Sequence, residues 1–310
     1  MESNSKGVGT RAVTAATIRA FAQLTGDRSR IHIDPEFAQA SGFSGPIAHG
    51  LLTGALALGA LTRHQPNAVG VGNGDELMTH YALRLSRVVE SGDELSFRWV
   101  NAPSQAGVSN LAYVDTGYEV VNQRDDVVAS GHVSLCSQGA AYLRERPKAR
   151  VALLRDADGL HAGAPEMYYA EDIVACGPRG TVTLPTQTQA SVDNFVVQVD
   201  ECNPLYSGGA GAVPPMLIFC LGFSAFLEAL LRVAMPATGS AGHVADEWQV
   251  HRLVAPGEKI RMIHQPLDCK RTQSRPELAV VRFALNFVDT KHELVQQGIV
   301  KMMVPSRPDR

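Results

Sequence analysis

The chain has 310 residues, of which 45% are hydrophobic, and its formal net charge at pH 7 is −3. This length is long for one ordinary domain and comfortable for two, and the apolar content suffices for a packed core in each half. So small a net charge gives no electrostatic basis for binding nucleic acid or an anionic membrane, and we expect neither as a partner.

Three features of the sequence bear on its compartment. The N-terminus, MESNSKGVGTR, is polar and lacks the apolar segment of a signal peptide. The longest uncharged apolar stretch, residues 213–227, has 15 residues, whereas a membrane span needs roughly 18–20. The five cysteines are scattered, odd in number and without metal-ligand spacing, which is typical of reduced thiols. We therefore expect a cytoplasmic protein.

The first motif in chain order joins an acid, an imidazole and a helix start. Asp27 precedes His32 by five positions in a polar loop, and a second polar loop ends in Pro46-Ile-Ala-His49-Gly50, where an apolar helix opens. Such a pair can add or remove water beside a carbonyl because its side chains move protons. The backbone N–H groups at the helix start can hold the charge that develops on the carbonyl oxygen. This chemistry needs no metal and no cofactor.

These residues carry a resemblance to a known family. Residues 27–32 (DRSRIH), 34–38 (DPEFA) and 45–51 (GPIAHGL) resemble the motif of the MaoC-like family, the (R)-specific enoyl-CoA hydratases of hydratase 2 type and the 3-hydroxyacyl dehydratases. The family pattern is D-x-N-P-x-H, and here Ser29 and Arg30 replace the Asn and Pro. The resemblance implies hot-dog folds and the syn addition of water to a trans-2-enoyl thioester, which gives an (R)-3-hydroxy product.

The sequence also repeats itself. Residues 14–27 match residues 188–201 at an offset of 174, and the match continues so that residues 201–206 overlie 27–32. Further on, residues 83–95 match 248–260 at an offset of 165, and residues 127–133 match 294–300. The second copy has Glu201 in place of Asp27 and Tyr206 in place of His32. Because a tyrosine cannot exchange protons near neutral pH as an imidazole can, we predict that the second copy is inactive.

Each copy predicts the same elements: a short helix, a polar loop, a long apolar helix, and strands with alternating polarity. The long helices are predicted at about 48–62 and 215–232, and strands at 81–88 and 95–100. A long helix backed by an antiparallel sheet is an α+β solution, which the resemblance identifies as a tandem (double) hot-dog. We expect residues 1–140 as one hot-dog, 141–180 as a connector and 181–310 as the other, packed as a pseudo-dimer. A homodimer of such double hot-dogs stays open.

The predicted site has catalytic and substrate-binding members. We assign Asp27 and His32 to the water, with the carboxylate taking its proton and the imidazole delivering one, and Gly50 to the thioester oxygen. His49 is either a structural partner or a residue that lines the site, and Ser29 is a candidate substrate contact. The segment from motif to helix is shorter in the second copy: 206 to 215 spans 9 positions, against 14 from 32 to 46. This predicts acyl-chain space beside Met216 and Leu217.

Alternatives to this assignment concern metals and function. Asp27, His32, Asp34 and His49 could ligate a metal, but they lack the spacing of known metal motifs, and Asp34 before Pro35 is typical of a helix N-cap. We expect a hydratase or dehydratase acting on a thioester of coenzyme A or acyl carrier protein. The rivals are a non-catalytic binding or scaffold subunit and a thioesterase of the same fold. The sequence leaves the acyl group open.

Overall fold

The computed structural model describes residues 7–64, 77–101, 113–136, 148–152, 168–177, 179–206, 211–233 and 242–308. The helices are α1 (Ala15–Thr25), α2 (Arg30–Ile33), α3 (Pro35–Ala40), α4 (Gly50–His64), α5 (Ala170–Cys176), α6 (Gln189–Val199) and α7 (Pro215–Val233), with a 3₁₀ turn at Pro204–Tyr206. The strands are β1 (Gly7–Ala12), β2 (Leu77–Leu85), β3 (Glu94–Asn101), β4 (Tyr113–Val121), β5 (Val127–Cys136), β6 (Gly180–Thr183), β7 (Gly242–Val250), β8 (Arg261–Arg271), β9 (Leu278–Val288) and β10 (Leu294–Pro305).

The predicted repeat is confirmed at the level of single elements. Both ends of α1 and α6 differ by the offset of 174, and both ends of β2 and β7 differ by the offset of 165. Each of the short helices α1 and α6 begins at a threonine N-cap: Thr14 accepts a hydrogen bond from the Thr17 N–H, and Thr188 accepts one from the Ser191 N–H. Equal sequence signals have therefore produced helices with equal starts and ends in both copies.

The strands form one antiparallel sheet whose order is β1-β3-β4-β5-β2-β7-β10-β9-β8-β6. The order is symmetric about its centre. From the centre outward, the strands β2, β5, β4, β3 and β1 of the first half correspond to β7, β10, β9, β8 and β6 of the second. At the centre, β2 pairs antiparallel with β7, and Ala82 pairs with Glu247, its own equivalent at the offset of 165. A pseudo-twofold axis thus passes through this pair, and the two halves share a single sheet.

The long helices α4 and α7 pack against the sheet through glycines. A Cβ on Gly54 would lie 2.3 Å from the hydroxyl oxygen of Tyr81, and one on Gly222 would lie 2.2 Å from the ring of Phe287. A continuous cluster of buried apolar side chains includes residues of both helices and both halves of the sheet. The predicted α+β architecture is confirmed. No helix within the described ranges has the length and apolar character needed to cross a membrane.

Some boundaries differ from those predicted. The corresponding long helices begin at Gly50 and Pro215. The segment before the helix therefore spans 18 positions from His32 in the first copy and 9 positions from Tyr206 in the second. The two segments differ by nine residues, whereas the sequence had predicted a difference of five. The prediction aligned the wrong proline, since Pro46 lies before the helix, in the loop. The edge strands β1 and β6 were not predicted. Residues 207–210 and most of the proposed connector lie outside the described residues, and the domain boundaries stay predictions.

Candidate active site

Asp27 is held where the chain leaves α1. Gly26 has a φ of 88° and its N–H bonds to the carbonyl of Ala22, which ends the helix and turns the chain. Asp27 is 9% exposed, and its Oδ1 accepts hydrogen bonds from the Ser29 N–H (3.1 Å) and the Ser29 hydroxyl (2.6 Å). Ser29 therefore orients the carboxylate. Its predicted role as a substrate contact stays a prediction.

The motif was expected to be a loop, but Arg30–Ile33 form one turn of helix. Arg30 is its first residue, a position at which proline is tolerated because the N–H there needs no helical partner. The Arg30 guanidinium forms an ion pair with Asp34 at 2.7 Å and lies over the ring of Phe37. Asp34 accepts a hydrogen bond from the Phe37 N–H and caps α3, as predicted. Arg30 thus replaces the family's proline without breaking the turn that carries His32.

His32 and His49 lie face to face beside Asp27. His32 Nδ1 is 2.8 Å from the carbonyl oxygen of Ile47, so Nδ1 carries the hydrogen and Nε2 keeps its lone pair. His49 Nε2 donates to the backbone carbonyl of Asp27 at 2.9 Å. The ring centroids are 3.8 Å apart and the planes are inclined by 27°. His49 therefore ties the start of α4 to the Asp27 loop and supports the ring of His32.

Burial and mutual charge set the protonation of this group. Burial raises the pKa of Asp27, but His49, His32 and the hydrogen bonds from Ser29 outweigh it, and the pKa lies below its ordinary value. Burial lowers the pKa of His32 despite the opposing effects of Asp27 and Ile47. Burial and the neighbouring His32 lower the pKa of His49 to about 4. At neutral pH the carboxylate is therefore ionised and both imidazoles are neutral.

A metal ion is a second use for this set. Asp27, His32 and His49 each offer one ligand atom, and these atoms lie within 4.8 Å of one another, which the sequence spacing did not reveal. Zinc, however, needs lone pairs that converge on one point at about 2 Å. The stacked rings of His32 and His49 direct their lone pairs along nearly parallel planes, so the arrangement fits a proton-transfer site better than a metal centre.

Gly50 begins α4 at this site. A Cβ there would lie 2.3 Å from Leu85 Cδ1 and 2.9 Å from His243 Nδ1, so a larger residue has no room without movement of its neighbours. As the first residue of the helix, its N–H has no intrahelical acceptor. The predicted oxyanion donor is thus in the first turn of α4, directly after His49. The contact with His243, from the second half, was not predicted from the sequence.

The equivalent positions in the second half keep a carboxylate but differ in the other two groups. The carboxylate of Glu201 accepts hydrogen bonds from the N–H groups of Cys202 and Asn203, much as Asp27 accepts one from Ser29. Tyr206 is buried, and burial together with Glu201 raises its pKa well above the ordinary value. Pro215 replaces Gly50 at the helix start and has no N–H to donate. At the described positions equivalent to His32 and Gly50, the second half therefore has neither an imidazole nor that backbone N–H.

Met216 and Leu217, the predicted acyl-chain contacts, lie in the first turn of α7. They are 4% and 0% exposed and belong to the apolar core. An acyl chain could reach them only if side chains moved, so their role stays a prediction.

The fold, as distinct from the chemistry, is shared with solved structures over nearly the whole chain. A MaoC domain protein from Chloroflexus aurantiacus has a TM-score of 0.72 at 15% identity, covering 98% of this chain and 96% of that one. A Mycobacterium tuberculosis protein with a double hot-dog fold has a TM-score of 0.67 at 13% identity, covering 97% and 96%. The chain therefore has the double hot-dog fold.

Sequence comparison shows what the first half is similar to. The profile of the MaoC like domain matches residues 2–123. An (R)-specific enoyl-CoA hydratase of Aeromonas caviae is 38% identical over 63 residues, which cover 20% of this chain and 47% of the relative. A 3-hydroxyacyl-thioester dehydratase of M. tuberculosis is 40% identical over 75 residues, covering 24% and 46%. The chain spans about half the length of these curated relatives, and residues 2–123 are the part that is similar to a MaoC-like domain.

The lowered pKa of His49 predicts a loss of stability in acid. The unfolded residue binds a proton below about 6.5 and the folded one only below about 4, so between these values the unfolded state binds more protons. Acidification from pH 7 to pH 5 should therefore cost about 2 kcal/mol of unfolding free energy through this residue. Urea unfolding of wild type and His49→Gln at both pH values measures the difference.

The variant should lose most of this pH dependence, whatever its stability at pH 7. His132→Gln is the matched control, because that side chain is 39% exposed on the sheet, and it should keep the wild-type pH dependence. Equal pH dependence in wild type and His49→Gln would contradict the burial of a neutral His49.

Proposed function

We propose that the protein adds water to trans-2-enoyl thioesters to give (R)-3-hydroxyacyl thioesters, or catalyses the reverse dehydration. The observation that carries the proposal is the buried carboxylate of Asp27 within 4.8 Å of a ring nitrogen of His32, with the N-terminus of α4 directly following His49. The names of the relatives, an enoyl-CoA hydratase and a 3-hydroxyacyl-thioester dehydratase, agree with this reaction class.

The protonation of the pair revises the order of proton transfers inferred from the sequence. That order had the imidazole deliver a proton, but a neutral His32 whose Nδ1–H faces the Ile47 carbonyl has none at Nε2 to deliver. In hydration, Nε2 instead takes a proton from water as the hydroxyl oxygen bonds to C3. The resulting imidazolium lies beside the Asp27 carboxylate, which stabilises it, and then transfers the proton to C2. Both new bonds form on one face of the substrate.

The thioester oxygen gains negative charge while the C3–O bond forms. The N–H of Gly50, in the first turn of a helix of 15 residues, is the donor we assign to that oxygen. The helix dipole adds a favourable potential at the same position. Since Pro215 has no N–H, the second half cannot provide an equivalent donor.

The carrier of the acyl group is coenzyme A or acyl carrier protein, since the chemistry at C2 and C3 needs only the thioester. The names of the relatives include both an enoyl-CoA hydratase and a 3-hydroxyacyl-[acyl-carrier-protein] dehydratase. A non-catalytic subunit is the second candidate, but it would have no need of a buried, oriented carboxylate beside a neutral imidazole. A thioesterase would release free thiol, whereas a hydratase removes the enoyl absorbance and leaves the thioester intact.

Removal of either proton-transfer group should disable hydration. Asp27→Asn and His32→Ala should each lower kcat by roughly 10²–10⁴-fold on the best enoyl-CoA, because each removes a group that handles protons. The double variant should be far less than additive, since both residues act on one water molecule. Loss of enoyl absorbance and release of thiol are followed together.

The second half supplies the matched controls. Glu201→Gln and Tyr206→Phe alter the equivalent positions and should leave the hydration rate nearly unchanged. Near wild-type hydration by Asp27→Asn would refute the assignment, and a collapse of activity in the controls would place the site in the second half. Release of thiol with no hydration would favour the thioesterase.

We propose further that the acyl chain runs toward the first turn of α7, in the half that we predict to be inactive. Met216 is unbranched and flexible, so it is the core residue most able to make way for a chain. Met216→Ala should raise kcat/KM for a substrate of about twelve carbons relative to a four-carbon one, and Met216→Trp should lower it. Leu217→Ala tests the neighbouring position.

The ratio of the two kcat/KM values is the readout, because a change in overall stability or in the amount of folded enzyme cancels in it. An unchanged ratio in all three variants would show that the acyl chain lies elsewhere.

A further inference from the structure

A β-bulge in the second half turns a histidine toward the active site. On β7, Asp246 and Trp248 are buried and Glu247 is exposed, which is the alternation of a strand with one covered face. Strict alternation would place His243, three residues before Asp246, on the opposite face. The pairing with β10 shifts, however: Lys301 pairs with Ala245 and Met302 with His243, which leaves one extra residue on β7. Such a bulge re-aims side chains.

The ring of His243 consequently lies on the covered face. Its centroid is 4.6 Å from that of Phe223 on α7, and its side chain is 11% exposed. His243 Nε2 is 2.8 Å from Asp246 Oδ2, and the Asp246 side chain is fully enclosed. Apart from this ionic contact, neither carboxylate oxygen of Asp246 has a hydrogen-bond partner among the described residues. A buried ion pair of this kind contributes little to stability, so its presence calls for another explanation.

The other ring nitrogen faces the first half's site. His243 Nδ1 lies 2.9 Å from the position that a Cβ on Gly50 would occupy, at the start of α4. Helix α7 links the two regions: a Cβ on Gly26, next to Asp27, would lie 3.5 Å from Ser224 Oγ, one residue after Phe223. Burial raises the pKa of the Cys220 thiol on α7, and the charges of Asp246 and Asp27 both add to the increase. The His243–Asp246 pair therefore borders the Asp27–His32 site.

The pair occurs on one side of the pseudo-twofold axis. At the offset of 165 the equivalent of His243 is Met78 and that of Asp246 is Tyr81, and β2 has the same bulge, between Met78 and His80. The polar pair thus faces the half that keeps Asp27, His32 and Gly50. The half with Pro215 at its helix start has no such pair opposite it. A purely structural role would not require this asymmetry.

We propose that His243, held by Asp246, contacts the substrate and donates its Nδ1–H to the thioester oxygen that the Gly50 N–H also binds. The inference rests on the proposed function and adds a second donor, contributed by the other half of the chain. When the pair holds two protons, one lies between Nε2 and the Asp246 carboxyl group and the other is the N–H of Nδ1. Burial raises the pKa of Asp246 and so favours that state. Such a donor acts most strongly when the oxygen becomes enolate-like.

The test replaces His243 in the full-length protein. His243→Met installs the residue that the equivalent bulge of the first half accommodates, and it should lower kcat on the order of 10²-fold with a small change in KM. His243→Gln keeps an N–H donor and should recover much of the loss. His80→Met is the matched control, because His80 contacts Glu247 at 3.5 Å on the exposed side of the central strands, and its kcat should be unchanged.

A second experiment needs no turnover and uses acetoacetyl-CoA as the ligand. Its enolate has an absorbance of its own, and the negative charge of the enolate is shared by the thioester oxygen and the ketone oxygen. Wild type and His80→Met should raise the enolate fraction of the bound ligand, and His243→Met should lose that increase. An unchanged kcat and enolate fraction in His243→Met, with Asp27→Asn inactive, would overturn the role of His243 alone. If wild type hydrates no enoyl thioester but the enolate increase depends on His243, the hydratase proposal fails and the donor role holds. Absence of an enolate increase in wild type overturns the donor role.

Discussion

The antiparallel pairing of β2 with β7 is the contact on which the rest of the structure depends. It joins two five-stranded sheets into one of ten, so neither half exposes its central edge strand, which would otherwise be free to pair with other chains. It also merges the two apolar layers into a single core around α4 and α7. Because β7 pairs with β2, a residue of β7, His243, lies at the start of the long helix of the opposite half. The proposed site is therefore a product of both copies.

Duplication has left the two copies with different chemistry on equal frames. The first keeps a carboxylate, an imidazole and a glycine N–H at Asp27, His32 and Gly50. The second retains a carboxylate with similar backbone hydrogen bonds at Glu201, but has a buried tyrosine and a proline in the other places. We predict that the second half is inactive, and we propose that it serves the first half through the His243–Asp246 pair and the apolar start of α7.

Much of this could be predicted from the sequence, because its signals are local or periodic. Threonine caps, alternating polarity and two long apolar stretches predicted the helices and strands. The offset of 174 between the sequence copies equals the offset between α1 and α6 at both of their ends. The pair Asp27 and His32 was found for the same reason, since both lie in one short segment. The prediction aligned Pro46 with Pro215, and this alignment was wrong. Pro215 is the first residue of its helix, whereas Pro46 lies in the loop before Gly50.

What the sequence did not reveal depends on contacts between distant segments. The stack of His49 on His32, the tautomer set by the Ile47 carbonyl and the low pKa values follow from burial, which no local pattern encodes. His243 was missed because a bulge reverses the face that alternation predicts, and the bulge is visible only from the pairing of β7 with β10. The protonation state, in turn, changed the proposed order of proton transfer.

The central claim is that one carboxylate–imidazole pair handles both steps on one face of the substrate. The most direct test is to hydrate crotonyl-CoA in deuterium oxide and determine the configuration of the product at C2 and C3 by NMR. The account predicts an (R)-3-hydroxy product with deuterium at C2 added from the same face as the hydroxyl, as a single diastereomer. Anti addition, a mixture at C2 or an (S) product would contradict it.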